Sequence, residues 1–398
     1  MGNLRLEKDF CLKLPEDFTR RRGMKPGDEF WIDESENGLV LYPRKPDIQK
    51  LYIEPTTLCN LHCHTCIRNS WGDPLDHMPM ETFWKLYSQL DELPELKRVV
   101  FAGFGEPTFH PNILEMIAAI RKRNLPVTLA SNGTTLTEKR ILKFIELGVD
   151  KLVVSVDGAR PETFESIRDI SLARVIRNLE RLRDLKVREG SMHPTLEIEF
   201  VAMKRNVGEL KAMTKLASEL QASRLIVTNV LPYTEEMLDE VLYGYEPQPP
   251  LIPQEDAGWP VSTEDWMFWG TVDLPRMHWS AERRCKFIHE NATVVGWDGG
   301  VAPCYALSHT YSYYALGRRL KNVTRYTFGN VNDHSLADIW MSEEYVKFRA
   351  EVRTFHFPSC PDCDLRDTCD LRENNEGCWG WNPSCADCLW AQDIIKCP

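Results

Sequence analysis

Between residues 51 and 231 the chain repeats one unit six times, a short apolar run followed by a turn and an amphipathic stretch. The apolar runs are Leu51–Pro55, Arg98–Gly103, Val127–Ser131, Leu152–Val156, Leu196–Met203 and Leu225–Asn229. Between them lie segments such as M-E-T-F-W-K-L-Y-S-Q-L, I-L-E-M-I-A-A-I-R-K-R and E-K-R-I-L-K-F-I-E-L-G, with apolar residues three and four apart. That spacing predicts helices with one buried face. Strands alternating with helices predict a parallel sheet with helical crossovers, an α/β fold. Such a sheet carries its functional loops at the C-terminal ends of its strands, and the unusual residues of this chain fall at those ends.

Thirteen cysteines narrow the chemistry. Cys11 stands alone, Cys59, Cys63 and Cys66 fall within eight residues, and nine lie between Cys285 and Cys397. The start M-G-N-L-R-L-E-K-D-F lacks the apolar core of a signal peptide, and no apolar run approaches the ~20 residues that cross a bilayer. A cytoplasmic location with no membrane contact is therefore expected, where thiols stay reduced and clustered cysteines mean metal ligation. Lys+Arg 48 against Asp+Glu 59 gives a net charge of −11, which argues against nucleic acid as the main partner.

The first strand runs into E-P-T-T-L-C-N-L-H-C-H-T-C, a Cys-x3-Cys-x2-Cys loop. Three thiolates on one short loop can hold three irons of a [4Fe–4S] cube and leave the fourth open. The interleaved His62 and His64 allow a Cys/His zinc site as the alternative, although zinc sites more often pair two Cys-x2-Cys knuckles. The later strand ends carry F-A-G-F-G-E-P, S-N-G, S-V-D-G and V-A-M-K-R-N-V. Each is a weak turn signal alone, but together, in order on one rim, they are specific.

With these residues the chain resembles the radical SAM superfamily through residue 231 or so. The resemblance implies a partial (βα)6 TIM-like barrel. It implies a [4Fe–4S] cluster on Cys59, Cys63 and Cys66 that binds S-adenosylmethionine and cleaves it reductively to a 5′-deoxyadenosyl radical. It further implies that Gly103, Gly105, Glu106 and Pro107 form the loop at the amino group of the cosubstrate, with Glu106 as acceptor. Ser131 and Asn132 belong to the next loop, Ser155 and Asp157 would reach its ribose and carboxylate, and Met203 is either an adenine contact or a core methionine. Two positions depart from the family pattern: Thr65 stands where Tyr or Phe usually precedes the third cysteine, and Phe104 stands at a usual glycine.

Further on come Cys285-x13-Gly299-x4-Cys304, the run F-G-N-V-N-D-H-S-L-A-D-I-W, and Cys360-x2-Cys363-x5-Cys369. This is similar to the SPASM extension, which binds two auxiliary [4Fe–4S] clusters. The family's next cysteine follows three intervening residues, whereas here Cys378 follows eight, and Cys385, Cys388 and Cys397 come after it. The resemblance implies one cluster on Cys285, Cys304 and a later cysteine such as Cys378, and another on Cys360, Cys363, Cys369 and one of the last three. A zinc ribbon is the alternative for two Cys-x2-Cys pairs.

The segment L-P-E-D-F-T-R-R-R-G-M-K-P-G-D-E-F-W-I resembles an AbrB-type dimerising β element. The expected organisation is a β module at 1–47, the barrel at 48–232, a linker or insertion at 233–284 and the cluster domain at 285–398. The loop C-I-R-N-S-W and the tail from Cys378, C-W-G-W-N-P-S-C-A-D-C-L-W, together with this β element, look like the maturases encoded with tungsten-dependent aldehyde:ferredoxin oxidoreductases. That resemblance implies a tungsten or molybdenum oxidoreductase, or its pterin cofactor, as target, and a ferredoxin or flavodoxin-type electron donor. Two alternatives stand beside it: a peptide- or protein-modifying SPASM enzyme, and an AbrB-type DNA-binding protein with structural metal knuckles.

Overall fold

A computed structural model describes residues 5–6, 11–21, 23–35, 38–244, 270–277, 282–316 and 318–396. The first elements are β1 (Arg5–Leu6), β2 (Leu12–Lys13), α1 (Glu16–Arg21), β3 (Phe30–Ser35) and β4 (Gly38–Pro43). β1 pairs with β2 and β3 with β4, each as an antiparallel two-stranded sheet separate from the main one. The β3–β4 hairpin touches the rest of the chain through Trp31, whose indole N–H donates to the Met341 carbonyl at 3.2 Å.

The repeated unit of the sequence becomes β5 (Lys50–Ile53), α2 (Met80–Gln89), β6 (Arg98–Phe101), α3 (Ile113–Lys122), β7 (Val127–Ser131), α4 (Glu138–Glu146), β8 (Lys151–Ser155), α5 (Pro161–Arg168), α6 (Leu172–Arg188), β9 (Thr195–Ala202), α7 (Leu210–Glu219) and β10 (Ala222–Asn229). All six strands are parallel neighbours in chain order. The segment expected to be a linker supplies an unforeseen edge strand, β11 (Thr271–Asp273), parallel to β10. Trp259, Trp266, Trp269 and Trp279 of that segment lie outside the described residues.

Next come α8 (Lys286–His289), β12 (Ala292–Val295), β13 (Val301–Ala302), β14 (Tyr311–Ala315), β15 (Arg319–Val323), α9 (Leu336–Trp340) and α10 (Glu343–Thr354). β12 adds to the free edge of β5 in parallel and β13 closes antiparallel on it. The sheet order is β11-β10-β9-β8-β7-β6-β5-β12-β13, with two free ends, so the barrel is open. Among the described residues no helix is long and apolar enough to cross a membrane.

The strand period separates core from site. On β9, Leu196, Ile198, Phe200 and Ala202 are buried in the apolar core that the helices cover. Alternation turns Glu197 and Glu199 to the opposite face, away from the helices. There Glu197 pairs with Lys151 of β8 at 2.6 Å, and the Ser155 hydroxyl lies 3.4 Å from Glu199 Oε2. A polar strand face inside an otherwise apolar sheet marks the working side of the barrel.

Candidate active site

The three-cysteine loop follows β5 and is held from several directions. The Thr57 N–H and the Thr56 hydroxyl both donate to the Asp76 carbonyl, at 3.0 Å. Arg68 reaches back with Nη1 to the Thr57 carbonyl at 2.7 Å and Nη2 to the Leu61 carbonyl at 3.1 Å. Asn69 donates to the Cys63 carbonyl, and the Tyr233 hydroxyl donates to the His64 carbonyl at 2.7 Å. These bonds hold the loop from the protein side.

The second rim loop is pressed onto the first by its glycines. Gly103 has φ +141°, a region open to glycine, and a Cβ there would overlap the Glu54 side chain. At Gly105 a Cβ would collide with the Thr56 carbonyl and lie 2.8 Å from the Leu58 carbonyl oxygen. The close approach lets the Glu106 N–H donate to the Leu58 carbonyl at 2.9 Å, one residue before Cys59.

Glu106 is 2% exposed and joins three segments. Its Oε1 accepts from the Thr108 N–H (3.1 Å), the Thr108 hydroxyl and the Ser131 hydroxyl (2.9 Å), and its Oε2 accepts from the Asn132 N–H at 2.6 Å. A carboxylate has about four lone-pair sites, so Oε1 is filled and Oε2 keeps one acceptor place. Burial raises its pKa above the ordinary carboxylate range, and these four donors oppose the rise. Asn132 extends the brace: its Nδ2 lies 3.0 Å from Asn60 Oδ1 and 3.7 Å from Cys59 Sγ.

On the other side of the loop, Asp157 is fully buried and takes bonds from Arg168 Nε at 2.5 Å and the Val201 N–H at 2.8 Å. Each of its oxygens thereby holds one bond, and Arg168 stands beside the cysteines on this side. Arg168 Nη1 is 4.0 Å from Cys63 Sγ. Burial works against its charge, but Asp157, Cys63 and Glu199 hold the guanidinium protonated. Glu199 is pushed up to about 7, first by burial and then by Asp157, with Arg168 opposing. Met203 is packed as core, with Ile167, Val230 and Met237. Arg168 and Glu199 were not singled out by sequence; their only signal is an arginine closing α5 and a second glutamate on an inward strand face.

The cysteines fit iron. Burial raises the Cys59 and Cys63 thiols above their ordinary range, a cost that cationic irons would relieve, and the Leu61 N–H already points at Cys59 Sγ at 3.4 Å. Among the described residues no three His, Cys, Asp or Glu side chains converge closely enough for a single metal ion. A four-iron cube takes thiols that stand apart, because each binds its own iron. His62 is exposed.

In the C-terminal region Cys285, Cys304, Cys385 and Cys388 come together. The turns after Cys285 and Cys304 meet through Phe287 and Tyr305, whose ring centroids are 5.6 Å apart. Arg284 N–H donates to the Ala391 carbonyl at 2.8 Å and Arg283 Nη1 to the Ala386 carbonyl at 2.7 Å, which bind the Cys285 segment to the Cys385–Cys388 turn. Cys360, Cys363, Cys369 and Cys378 are half-buried in an exposed stretch, and Cys397 lies outside the described residues.

Known proteins agree with this geometry. Residues 53–217 match the Radical SAM superfamily, and residues 285–364 match SPASM, described as an iron–sulfur cluster-binding domain. The chain is 36% identical to the tungsten-containing aldehyde ferredoxin oxidoreductase cofactor-modifying protein of Pyrococcus furiosus, over 87% of this chain and 96% of that one. It is 25% identical to the PqqA peptide cyclase of Gluconobacter oxydans over 80% and 83% of the two chains. Streptococcus suis SuiB bound to S-adenosylmethionine shares the fold, with TM-score 0.57, 16% identity and coverage of 85% of this chain and 74% of that one. The structure of anSMEcpe with bound AdoMet does too, with TM-score 0.55, 18% identity and coverage of 87% and 93%. The chain belongs to the radical SAM superfamily: it is a radical SAM enzyme with a C-terminal SPASM domain, whose cofactors are S-adenosylmethionine and [4Fe–4S] clusters.

Proposed function

We propose that this enzyme modifies the cofactor of a tungsten-dependent oxidoreductase, or that oxidoreductase itself, during its maturation, with a molybdenum counterpart as the related target. The observation that carries this reading is the 36% identity to the Pyrococcus furiosus cofactor-modifying protein along 96% of that relative's length. Similarity along nearly the whole of both chains carries the reading, because a shared fold by itself assigns no function.

In this reading Cys59, Cys63 and Cys66 hold the cluster at which S-adenosylmethionine binds, and a bound cluster supplies one electron to it. Gly103, Gly105 and Pro107 keep the second rim loop against the cysteine loop, and the remaining acceptor place on Glu106 Oε2 receives the cosubstrate's ammonium group. Ser131 and Asn132 fix Glu106, while Asp157 orients Arg168 beside Cys63. Ser155 and Glu199 face the barrel interior, where Glu199 Oε2 can hold or release a proton near neutral pH. Met203 supports this rim from the core.

The division into a β module at 1–47, barrel at 48–232, insertion at 233–284 and cluster domain at 285–398 belongs to the same proposal. So do a cytoplasmic location and a ferredoxin or flavodoxin-type electron donor. Trp379, 83% exposed at the edge of the cluster domain, suits contact with a large partner, since exposed aromatics dominate interface hot spots. The similarity to a PqqA peptide cyclase supports a second reading, a peptide substrate. Co-expression separates them: a tungsten oxidoreductase should be active with this protein and inactive in cells lacking it. Full oxidoreductase activity in its absence would leave the peptide reading standing.

A further inference from the structure

We propose that eight of the C-terminal cysteines divide into an inner set, Cys285, Cys304, Cys385 and Cys388, and an outer set, Cys360, Cys363, Cys369 and Cys378, each holding one [4Fe–4S] cluster. The inference rests on the auxiliary-cluster reading of the SPASM domain and assigns its ligands. It differs from the pairing that the family pattern implies, in which Cys378 joins Cys285 and Cys304, and a cysteine of the tail joins Cys360, Cys363 and Cys369.

Three observations define the inner set. The first is the packing given above: Phe287 and Tyr305 join the Cys285 and Cys304 turns, and Arg283 and Arg284 bind the first of them to residues 386 and 391. The four thiols lie within electrostatic reach of one another. The second is backbone closure around the cysteines. The Cys388 N–H donates to the Cys385 carbonyl at 3.2 Å, the Leu307 N–H to the Cys304 carbonyl at 3.3 Å and the His289 N–H to the Cys285 carbonyl at 3.1 Å, so Cys285, Cys304 and Cys385 each stand at the start of a tight turn.

The third is Gln392, one turn beyond Cys388. It is fully buried, and neither its side-chain oxygen nor its nitrogen has a hydrogen-bond partner. Leaving a buried amide unpaired costs free energy, so a group absent from the protein chain belongs beside it. A cluster sulfide would accept from its Nε2. The Lys321 ammonium, paired with Asp387 Oδ1 at 2.5 Å inside the Cys385–Cys388 turn, lies within electrostatic reach of the Cys385 and Cys388 thiols.

Cys378 falls to the outer set because the inner four already fill one cluster. Its segment packs through Trp381 on Phe357, three residues before Cys360, with centroids 5.1 Å apart, and meets the Cys385 turn through the Ser384 N–H, which donates to the Asn375 carbonyl at 2.8 Å. The Cys363 N–H donates to the Cys360 carbonyl at 3.2 Å, closing the knuckle of the outer set, and Arg319 grips the carbonyls of Cys369 and Arg366. The longer spacing from Cys369 to Cys378, eight residues in place of three, gives the chain room to return to its own set.

Reconstituted full-length protein tests this by low-temperature EPR of the dithionite-reduced state and by iron per chain. Wild type should hold about twelve irons, four for each of three centres. Cys385→Ser and Cys388→Ser should each remove the same auxiliary signal as Cys285→Ser, whereas Cys378→Ser should remove the one lost in Cys369→Ser. The partition is overturned if Cys378→Ser removes the Cys285 signal, or if Cys385→Ser removes the Cys369 signal. Wild type with one cluster and bound zinc would instead overturn the auxiliary-cluster reading itself. Should serine variants fail to accumulate, timed alkylation of wild-type protein during oxidative cluster loss decides the matter. Cys378 should then become reactive with Cys360, Cys363 and Cys369, before the inner four; labelling together with Cys285 and Cys304 contradicts the partition.

Discussion

His309 Nε2 lies 2.7 Å from Glu54 Oε2, a contact that joins the cluster domain to the residue immediately after β5, although 255 positions separate the two in sequence. Nδ1 of the same ring is 3.1 Å from Asp73, and the ring stacks on Trp71 at 3.9 Å. Glu54 also accepts from the Phe104 N–H at 2.9 Å, so one buried imidazole holds the cysteine loop, the glycine loop and the SPASM domain in register.

This contact predicts a pH dependence. Burial alone would lower the His309 pKa, but the Glu54 and Asp73 carboxylates override it and raise the value to about 9 from 6.5. A raised histidine pKa gives stability that is fully present below about pH 6.5 and is lost as pH rises through 9, an effect of roughly 3 kcal/mol. Thermal unfolding followed from pH 6 to 10 should show wild type losing Tm over that window. In His309→Gln, which cannot titrate, the loss should be absent and the protein weaker at pH 6; an unchanged Tm profile would contradict the role.

Glu199 predicts a loss of stability with rising pH as well, over a lower window. Its folded pKa of about 7 lies above the ordinary carboxylate value, so the protonated form is favoured by folding and ionisation costs stability. The cost begins near pH 4.5 and levels off above 7, at roughly 2–3 kcal/mol. Glu199→Gln should therefore be more stable than wild type at pH 8 and equal to it at pH 4, and should slow substrate turnover more than substrate-free cleavage of S-adenosylmethionine. A variant no more stable at pH 8 would contradict this.

Gly105→Ala should disturb the cysteine loop from outside it. The new methyl meets the Thr56 and Leu58 carbonyls, which are backbone and cannot step aside without moving Cys59. Iron in the reconstituted variant should fall by about four per chain, one [4Fe–4S] centre, with the auxiliary signals intact. Full iron content would mean that the loops are less tightly coupled than their contacts imply.

Glu106→Gln is the sharper test of the cosubstrate pocket. Glutamine offers one acceptor and an NH2 group, and the NH2 would face the Asn132 N–H or the ammonium group that the carboxylate serves. The expected loss is about 1.5–3 kcal/mol of S-adenosylmethionine binding, roughly ten- to over a hundredfold in Kd by isothermal titration. Unchanged affinity would leave Glu106 as a brace between loops only.

Much of this architecture is legible in the sequence, because period-two strands and three-four helices write their burial pattern locally. All six barrel strands and the order of the rim motifs follow from that pattern. What the pattern hides is pairing at a distance. Glu54 reads as the end of a strand until His309 is brought to it, and Glu199 reads as a solvated position on an alternating strand. β11 has only three residues, and nothing local marks it as an edge strand. Cys378 shows the same limit: its spacing from Cys369 is visible, but that Cys285, Cys304, Cys385 and Cys388 meet without it depends on contacts across a hundred residues.

The most direct test of the central claim is anaerobic assay of the reconstituted, reduced protein with S-adenosylmethionine, with 5′-deoxyadenosine measured by chromatography. Wild type should form it, and Cys59→Ala, Cys63→Ala and Cys66→Ala should each abolish it while keeping the auxiliary iron, about eight per chain from two [4Fe–4S] centres. Cleavage at the wild-type rate in the triple variant would contradict the assignment of these three cysteines as the ligands of the catalytic cluster.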